Sequence, residues 1–217
     1  MNKDVTYLMA MTCVLPAAIG IYRYKRIDKK YHPFIYMMLL DVIIETIVYL
    51  PLKFSGLAGV SRLAVNLYTY LNFGLFIYFV YINKYLTKKA MQLLITIAAI
   101  IGIFNFIYAG TLSTPFFYYL LCFVSAVMLI ISIDILSRQI MEIKDKLANN
   151  FWFWASSFSI LYNSFTLLIF GLYVFAMFET PNGKAIGSIQ HFVNATCYVF
   201  FGVAIFRIPQ KKITVRV

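Results

Sequence analysis

The sequence predicts an all-α, polytopic membrane protein, with seven transmembrane helices in a single domain covering residues 1–217. Three observations predict it. The chain is 62% hydrophobic and only 12% charged, against about 45–50% and about 25% in a soluble domain. Its apolar residues come in long runs rather than alternating, and about 20 residues at ~1.5 Å rise cross a ~30 Å hydrocarbon core. Its basic residues fall in the short loops between those runs.

Taken in order, the first span covers about 5–22. It follows Lys3 and contains Pro16; it has no A-x-A-like cleavage site and runs into a strongly basic loop, so it is read as a retained helix rather than a signal peptide. The second, about 34–52, carries Asp41 and Glu45 and ends near Pro51. The third is about 64–83. The fourth, about 90–109, is the least interrupted by charge. The fifth is about 116–136, the sixth about 151–178 (long enough to tilt or protrude) and the seventh about 188–206. Residues 207–217 form a short basic tail. Beyond the fifth span, Leu136, Ile140, Ile143 and Leu147 share one helical face, which predicts an amphipathic extension lying on the membrane, with a partner-docking helix as the alternative.

The net charge of +11 does not indicate nucleic acid, because the basic residues sit where they set topology and meet anionic headgroups. Fifteen Lys and Arg fall in the first, third and fifth loops and the tail. Four, namely Lys3, Lys53, Arg62 and Lys184, fall on the other side. Cytoplasmic loops carry the basic excess, so the expected orientation is N-out and C-in, in the cytoplasmic (inner) membrane. An internal repeat is also expected. "VNLYTYLNFGLFI" (65–77) matches "VNATCYVFFGVAI" (193–205) at Val, Asn, Tyr, Phe, Gly and Ile, and "DKKYHPFIY" (28–36) echoes "DKLANNFWF" (145–153). Spans one to three and five to seven would then be parallel repeats joined by span four, a 3+1+3 plan of the kind found in some transporters.

Ionisable groups inside the membrane cost at least ~2.5–3.5 kcal/mol on insertion scales and are functional candidates by default. Asp41, Glu45 and Tyr49 are spaced by four and so form one stripe. Asp41 is expected about 10 Å and Glu45 about 16 Å into the membrane from the basic side. Asp41 is near enough to the first loop to pair with Lys29 or Lys30. Glu45 has no evident partner. Asn66, Thr69, Tyr70 and Asn72 in span three, Ser159, Tyr162, Asn163 and Ser164 in span six, and His191, Asn194 and Tyr198 in span seven supply further polar groups. Of these, Glu45, Asp41, Asn66, Tyr70, Asn163, His191 and Asn194 are the candidates for a polar pocket that opens outward, with Glu45 at its floor. Asp134 and Arg138, at i and i+4, are expected to form a structural ion pair. The "FWFW" opening span six reads as an interfacial aromatic anchor.

Several chemistries find no support. There is no Gly-rich phosphate loop, no G-x-S-x-G and no metal-ligand spacing of His, Asp and Glu. Cys13, Cys122 and Cys197 form no C-x-x-C, so neither a disulfide framework nor a metal site is expected. Retinal would need a lysine inside span seven, and Lys184 precedes that span. No cofactor and no enzymatic activity are expected. At "NLYTYLNFGLFIYFVY" and "FWFWASSFSILYNS" the chain resembles uncharacterised small seven-helix inner-membrane proteins of the Bacteroidota type. Those look like an L-Y-x-x-x-E-F pattern in span three and F-W followed eight residues on by Tyr in span six. Phe153, Trp154 and Tyr162 match the second, and Asn72 replaces the acid of the first. The resemblance implies fold and location and carries no function.

The functional expectation is a receptor-like or signalling-accessory module. Its outward-facing pocket would take a small molecule or lipid, and its partners would be the bilayer and a cytoplasmic signalling protein, with no nucleic acid. The alternative is a small-solute or proton-coupled transporter using Glu45 as the coupling carboxylate.

Overall fold

A computed structural model describes residues 8–49, 58–109, 118–142, 147–174 and 181–211. It contains seven α-helices and no strand among them: α1 (Val14–Arg23), α2 (His32–Tyr49), α3 (Ala58–Ile82), α4 (Lys88–Ala109), α5 (Tyr118–Glu142), α6 (Phe151–Val174) and α7 (Pro181–Phe206). Four segments are long and apolar enough to cross a membrane: Ala64–Ile82, Tyr118–Glu142, Phe151–Leu172 and Ile189–Phe206. The chain is therefore an all-helical, multi-pass membrane protein. The helices of the other three expected spans are also present, α1 as the shorter apolar helix Leu8–Arg23.

The helix ends follow local chemistry. Pro16 cannot donate to Thr12 and crowds its carbonyl, and the chain passes through a tighter 3-10 turn at Met11–Cys13 before α1. Asp28 accepts from the Lys30 amide at 3.1 Å and starts the turn into α2. Lys84 takes the left-handed conformation (φ 66°) that ends α3, and the Tyr85 amide closes back on Val80 at 3.1 Å. Thr87 then caps α4 through the Ala90 amide at 3.2 Å. Asn150 caps α6 through the Trp152 amide at 2.8 Å. As expected, α5 continues past residue 136, to Glu142, with Ile140 exposed. Residues 143–146, which include Ile143, lie outside the described residues, as do Pro51 and Lys53 and the side chains of Tyr49, Arg62 and Lys184.

Six helices touch in a cycle: α1 on α2, α2 on α3, α3 on α5, α5 on α6, α6 on α7, and α7 back on α1. α4 packs chiefly on α3 and α5, outside that cycle. Its seat includes Gly102, against which Tyr70 lies, and the buried Ala98 one turn earlier. The α1–α7 seam is closed by Arg23. Its buried guanidinium donates to the carbonyls of Ile205 (2.5 Å) and Ile208 (3.1 Å) and faces the Phe206 ring. The first loop joins the tail beside it, with the Lys211 amide donating to the Arg26 carbonyl at 2.9 Å.

At the end that carries the basic loops, the bundle interior is filled by rings. Phe34, Phe79, Phe151, Trp152 and Tyr31 are all buried. Phe79 stacks on Trp152 with centroids 4.8 Å apart, and Phe151 meets Phe34 edge-on at 5.2 Å and Tyr31 at 5.1 Å. This corrects the reading of "FWFW" as an interfacial anchor. Phe151 and Trp152 face inward and plug the bundle, and only Phe153 and Trp154 remain on its flank. Below the plug, Gln139 donates to the Tyr85 hydroxyl at 2.9 Å and accepts from Asn150 at 2.5 Å, linking α5 to both neighbouring turns.

Candidate functional site

α2 carries both intramembrane carboxylates. Asp41 and Glu45 are one turn apart, and burial of Asp41 and Ile44 against exposure of Ile43 shows that this face looks into the bundle. They do not share one compartment. Glu45 lines a cavity of about 280 Å³ on the side away from the basic loops, called outer in that sense alone, with Asn72, Asn163, Gln190, His191 and Asn194 among its polar walls and Ile44, Val124 and Phe170 among its apolar ones. Asp41 lines a smaller inner chamber of about 50 Å³, with Ser132, Ser156 and Ser159, roofed toward the basic end by Phe79 and Trp152. Tyr68, Asn72, Met128, Tyr162 and Asn163 line both and form the neck between them.

The neck is hydrogen-bonded rather than merely packed. The Tyr68 hydroxyl donates to the Asp41 carboxylate and accepts from the Asn72 amide at 2.5 Å. Asn163 donates to the Ser159 carbonyl at 2.8 Å and to its hydroxyl at 3.1 Å, and Ser132 bonds that hydroxyl at 2.9 Å. The Tyr198 ring packs beside that of Tyr162, with centroids 6.4 Å apart. In the outer cavity Gln190 donates to Asn194 at 2.6 Å. Two buried acceptors, Asn72 Oδ1 and Gln190 Oε1, are left without a hydrogen-bond partner on the protein. Each such group costs about 1–3 kcal/mol unless something polar meets it.

Among the pocket candidates, Glu45, Asn163, His191 and Asn194 come together in the outer cavity and Asp41 in the inner one. The far end of the outer cavity, including the expected mouth, lies outside the described residues. Asp41 does not pair with Lys29 or Lys30. Its carboxylate is 4% exposed and bonded to Tyr68, and both lysines are exposed in the first loop. The helix carries Asp41 nearly three turns from that loop, and its side chain turns inward. Asn66 is buried but lies off the walls of both chambers. Tyr70 is off them too, because it is rotated about 200° around α3 from Tyr68 and packs on α4. Arg138 and Asp134 form their ion pair at 2.8 Å on the exposed side of α5.

The residues missed as pocket candidates are Tyr68, Ser125, Ser132, Ser156, Thr166 and Gln190. A signal existed for Tyr68, which precedes Asn72 by one turn just as Asp41 precedes Glu45. Among the described residues no three His, Cys, Asp or Glu converge to hold a metal, and Cys13, Cys122 and Cys197 are free thiols. The site is thus an intramembrane polar cavity of two stacked compartments, a class defined by geometry alone. Comparison of the chain with family models, curated proteins and solved structures returned no match.

Proposed function

We propose that this protein is a small-solute transporter of the cytoplasmic membrane, oriented N-out and C-in, with Glu45 as the coupling carboxylate. One observation carries the reading. The two chambers lie in line along the bundle, each with its own carboxylate, and they share a neck of Tyr and Asn side chains. A sensing pocket needs only the outer chamber, whereas a path needs the second one. The solute favoured by the outer walls is a small amphipathic amine. Glu45 and Asn194 offer acceptors, and among the described residues no Lys or Arg lines the cavity.

The cyclic contact order supports a parallel 3+1+3 repeat. In such a repeat α1 meets α7 as α3 meets α5, and α4 is the outlying connector. The burial phase of the two matched segments supports it as well. Thr69 and Cys197, Phe73 and Phe201, and Ile77 and Ile205 are buried, and Leu71 and Val199 are exposed. The test is flux in proteoliposomes with a pH-sensitive dye inside and a panel of small amines outside. Lumenal pH is expected to change with solute for the wild type and not for Glu45→Gln. A flat wild-type response across the panel, or full activity of Glu45→Gln, refutes the proposal.

A receptor-like role is the second reading, favoured by the cytoplasmic-side end of α5, where Ile140 (54%) and Met141 (72%) are exposed beside the Asp134–Arg138 pair. It requires a cytoplasmic protein whose binding is lost when both apolar side chains are changed to Ser.

A further inference from the structure

A groove on the flank of the bundle stands apart from both chambers. It lies between α1 and α2 at the end with the basic loops, measures about 520 Å³, and is bordered by the exposed side chains of Ile21 and Tyr22. Its floor is apolar, formed by Ile21, Ile35 and Leu39. Gly20 brings the two helices together there: a methyl group on it would come within 2.8 Å of Ile35 Cγ2. Ile35 and Leu39 are one turn apart on α2, so the floor runs from the basic end into the span. The rim is cationic, with Lys25 and Arg26. Both sit in the turn that follows α1, and that turn is fixed from two sides. The Arg26 amide donates to the Arg23 carbonyl at 2.8 Å, and the Lys211 amide donates to the Arg26 carbonyl at 2.9 Å. The Arg26 guanidinium lies over the Tyr22 ring, 5.4 Å from its centroid. Contact through the planar face leaves the N–H edges of the fork for an oxyanion.

We propose that this groove holds one anionic phospholipid, with its phosphate at Lys25 and Arg26 and an acyl chain along Ile21, Ile35 and Leu39. Arginine's fork and lysine's point charge are the side chains that bind phosphate oxygens. Charge selects the headgroup. Two cations and no carboxylate line the groove, so a zwitterionic lipid would bring an ammonium with nothing to pair it. The acid closest in sequence, Asp28, does not line the groove, and its carboxylate accepts from the Lys30 amide. The hydroxyl of Tyr24, in the groove wall, shares a hydrogen bond with that of Tyr36, which leaves one hydroxyl proton of the pair for a further acceptor. A soluble phosphate ester would meet the rim and leave the apolar floor bare, whereas a lipid meets both. The other basic hollow, lined by Lys84, Lys88 and Arg138, suits the lipid less, because Arg138 is already paired with Asp134. The site stands whether or not either chamber carries a solute.

The experiment titrates the full chain in detergent with phosphatidylglycerol or with phosphatidylcholine of identical acyl chains, and counts bound lipid by native mass spectrometry. One phosphatidylglycerol is expected to stay bound per chain at concentrations where phosphatidylcholine does not. Lys25→Gln combined with Arg26→Gln is expected to raise the half-saturating phosphatidylglycerol concentration about tenfold. Lys88→Gln combined with Lys89→Gln removes equal charge from the exposed start of α4 and is expected to leave it unchanged. Leu39→Trp fills the floor without altering charge. It is expected to weaken binding, and it keeps the proposal testable where the Lys25 and Arg26 variant does not fold. Glycerophosphoglycerol, the same headgroup without acyl chains, is expected not to displace the lipid at equal concentration. Equal affinity for the two lipids, equal losses in the two charge-deleted variants, unshifted binding in Leu39→Trp, or displacement by the free headgroup each overturn it.

Discussion

Gly102→Ala tests how α4 is held. A methyl group at Gly102 would fall 1.2 Å from the Tyr70 hydroxyl and 2.5 Å from its ring carbon Cζ. No small adjustment accommodates that overlap, so Tyr70 must leave its rotamer or α4 must move off α3. In lipid no hydrophobic force pushes the helix back, since association rests on packing and hydrogen bonds. Overpacking of this kind costs about 1–3 kcal/mol. For a chain of this length each kcal/mol moves the thermal midpoint by roughly 2–4 °C. A fall of about 2–12 °C is therefore expected in detergent by a thiol-reactive fluorophore assay, in which the buried Cys13 and Cys197 label only on unfolding. Tyr70→Leu removes the obstructing ring end. The double variant should be less destabilised than the sum of the single ones, with a coupling of about 0.5–3 kcal/mol. A Gly102→Ala midpoint unchanged within error, or strict additivity, refutes the assigned contact.

Two further outcomes are expected. Arg23→Lys keeps the charge but loses the two-pronged grip on Ile205 and Ile208; at about 1.5–3 kcal/mol per charged hydrogen bond it should lower the same midpoint, and Arg23→Ala should lower it more. His32 lies outside the spans, stacked on Tyr24 at 4.0 Å, and burial, reinforced by Lys211 and Lys29 and opposed by a hydrogen bond to the Tyr24 backbone, holds it below its ordinary 6.5. A lowered histidine favours the neutral form in the fold, so its contribution is complete above pH 6.5 and is lost as pH falls through the folded-state value. Thermal midpoints should drop on acidification, and His32→Gln should reduce that drop.

The helices were legible because each is a long, mainly apolar run, and the loops because lysine and arginine mark them. The carboxylate stripe was legible too: a spacing of four puts Asp41 and Glu45 on one face whatever surrounds the helix. Rotation about the helix axis was harder. In α3 both the lipid face and the core face are apolar, so the periodic contrast that orients a soluble helix is weak. Nothing local distinguishes Tyr70, against α4, from Tyr68, at the neck. The same degeneracy hid the plug, because Phe151 and Trp152 have the composition of an interfacial belt. The partner of Asp41 was misplaced since nearness in sequence to Lys29 and Lys30 says nothing of which way a side chain turns three helical turns away.

The aromatic layer of Phe34, Phe79, Phe151 and Trp152 has an electrical consequence. Under the proposed transport reading, the cavity of about 280 Å³ fills with water from its own side, and that water carries the potential inward. The membrane voltage then falls over a few ångströms of ring and serine rather than over the whole hydrocarbon thickness. Asp41 and its neck sit beside that steep drop, where a unit charge crossing the full field does work of about 2.3 kcal/mol per 100 mV. On that reading, the state of the inner chamber is coupled to the energised condition of the membrane by the thinness of its insulator.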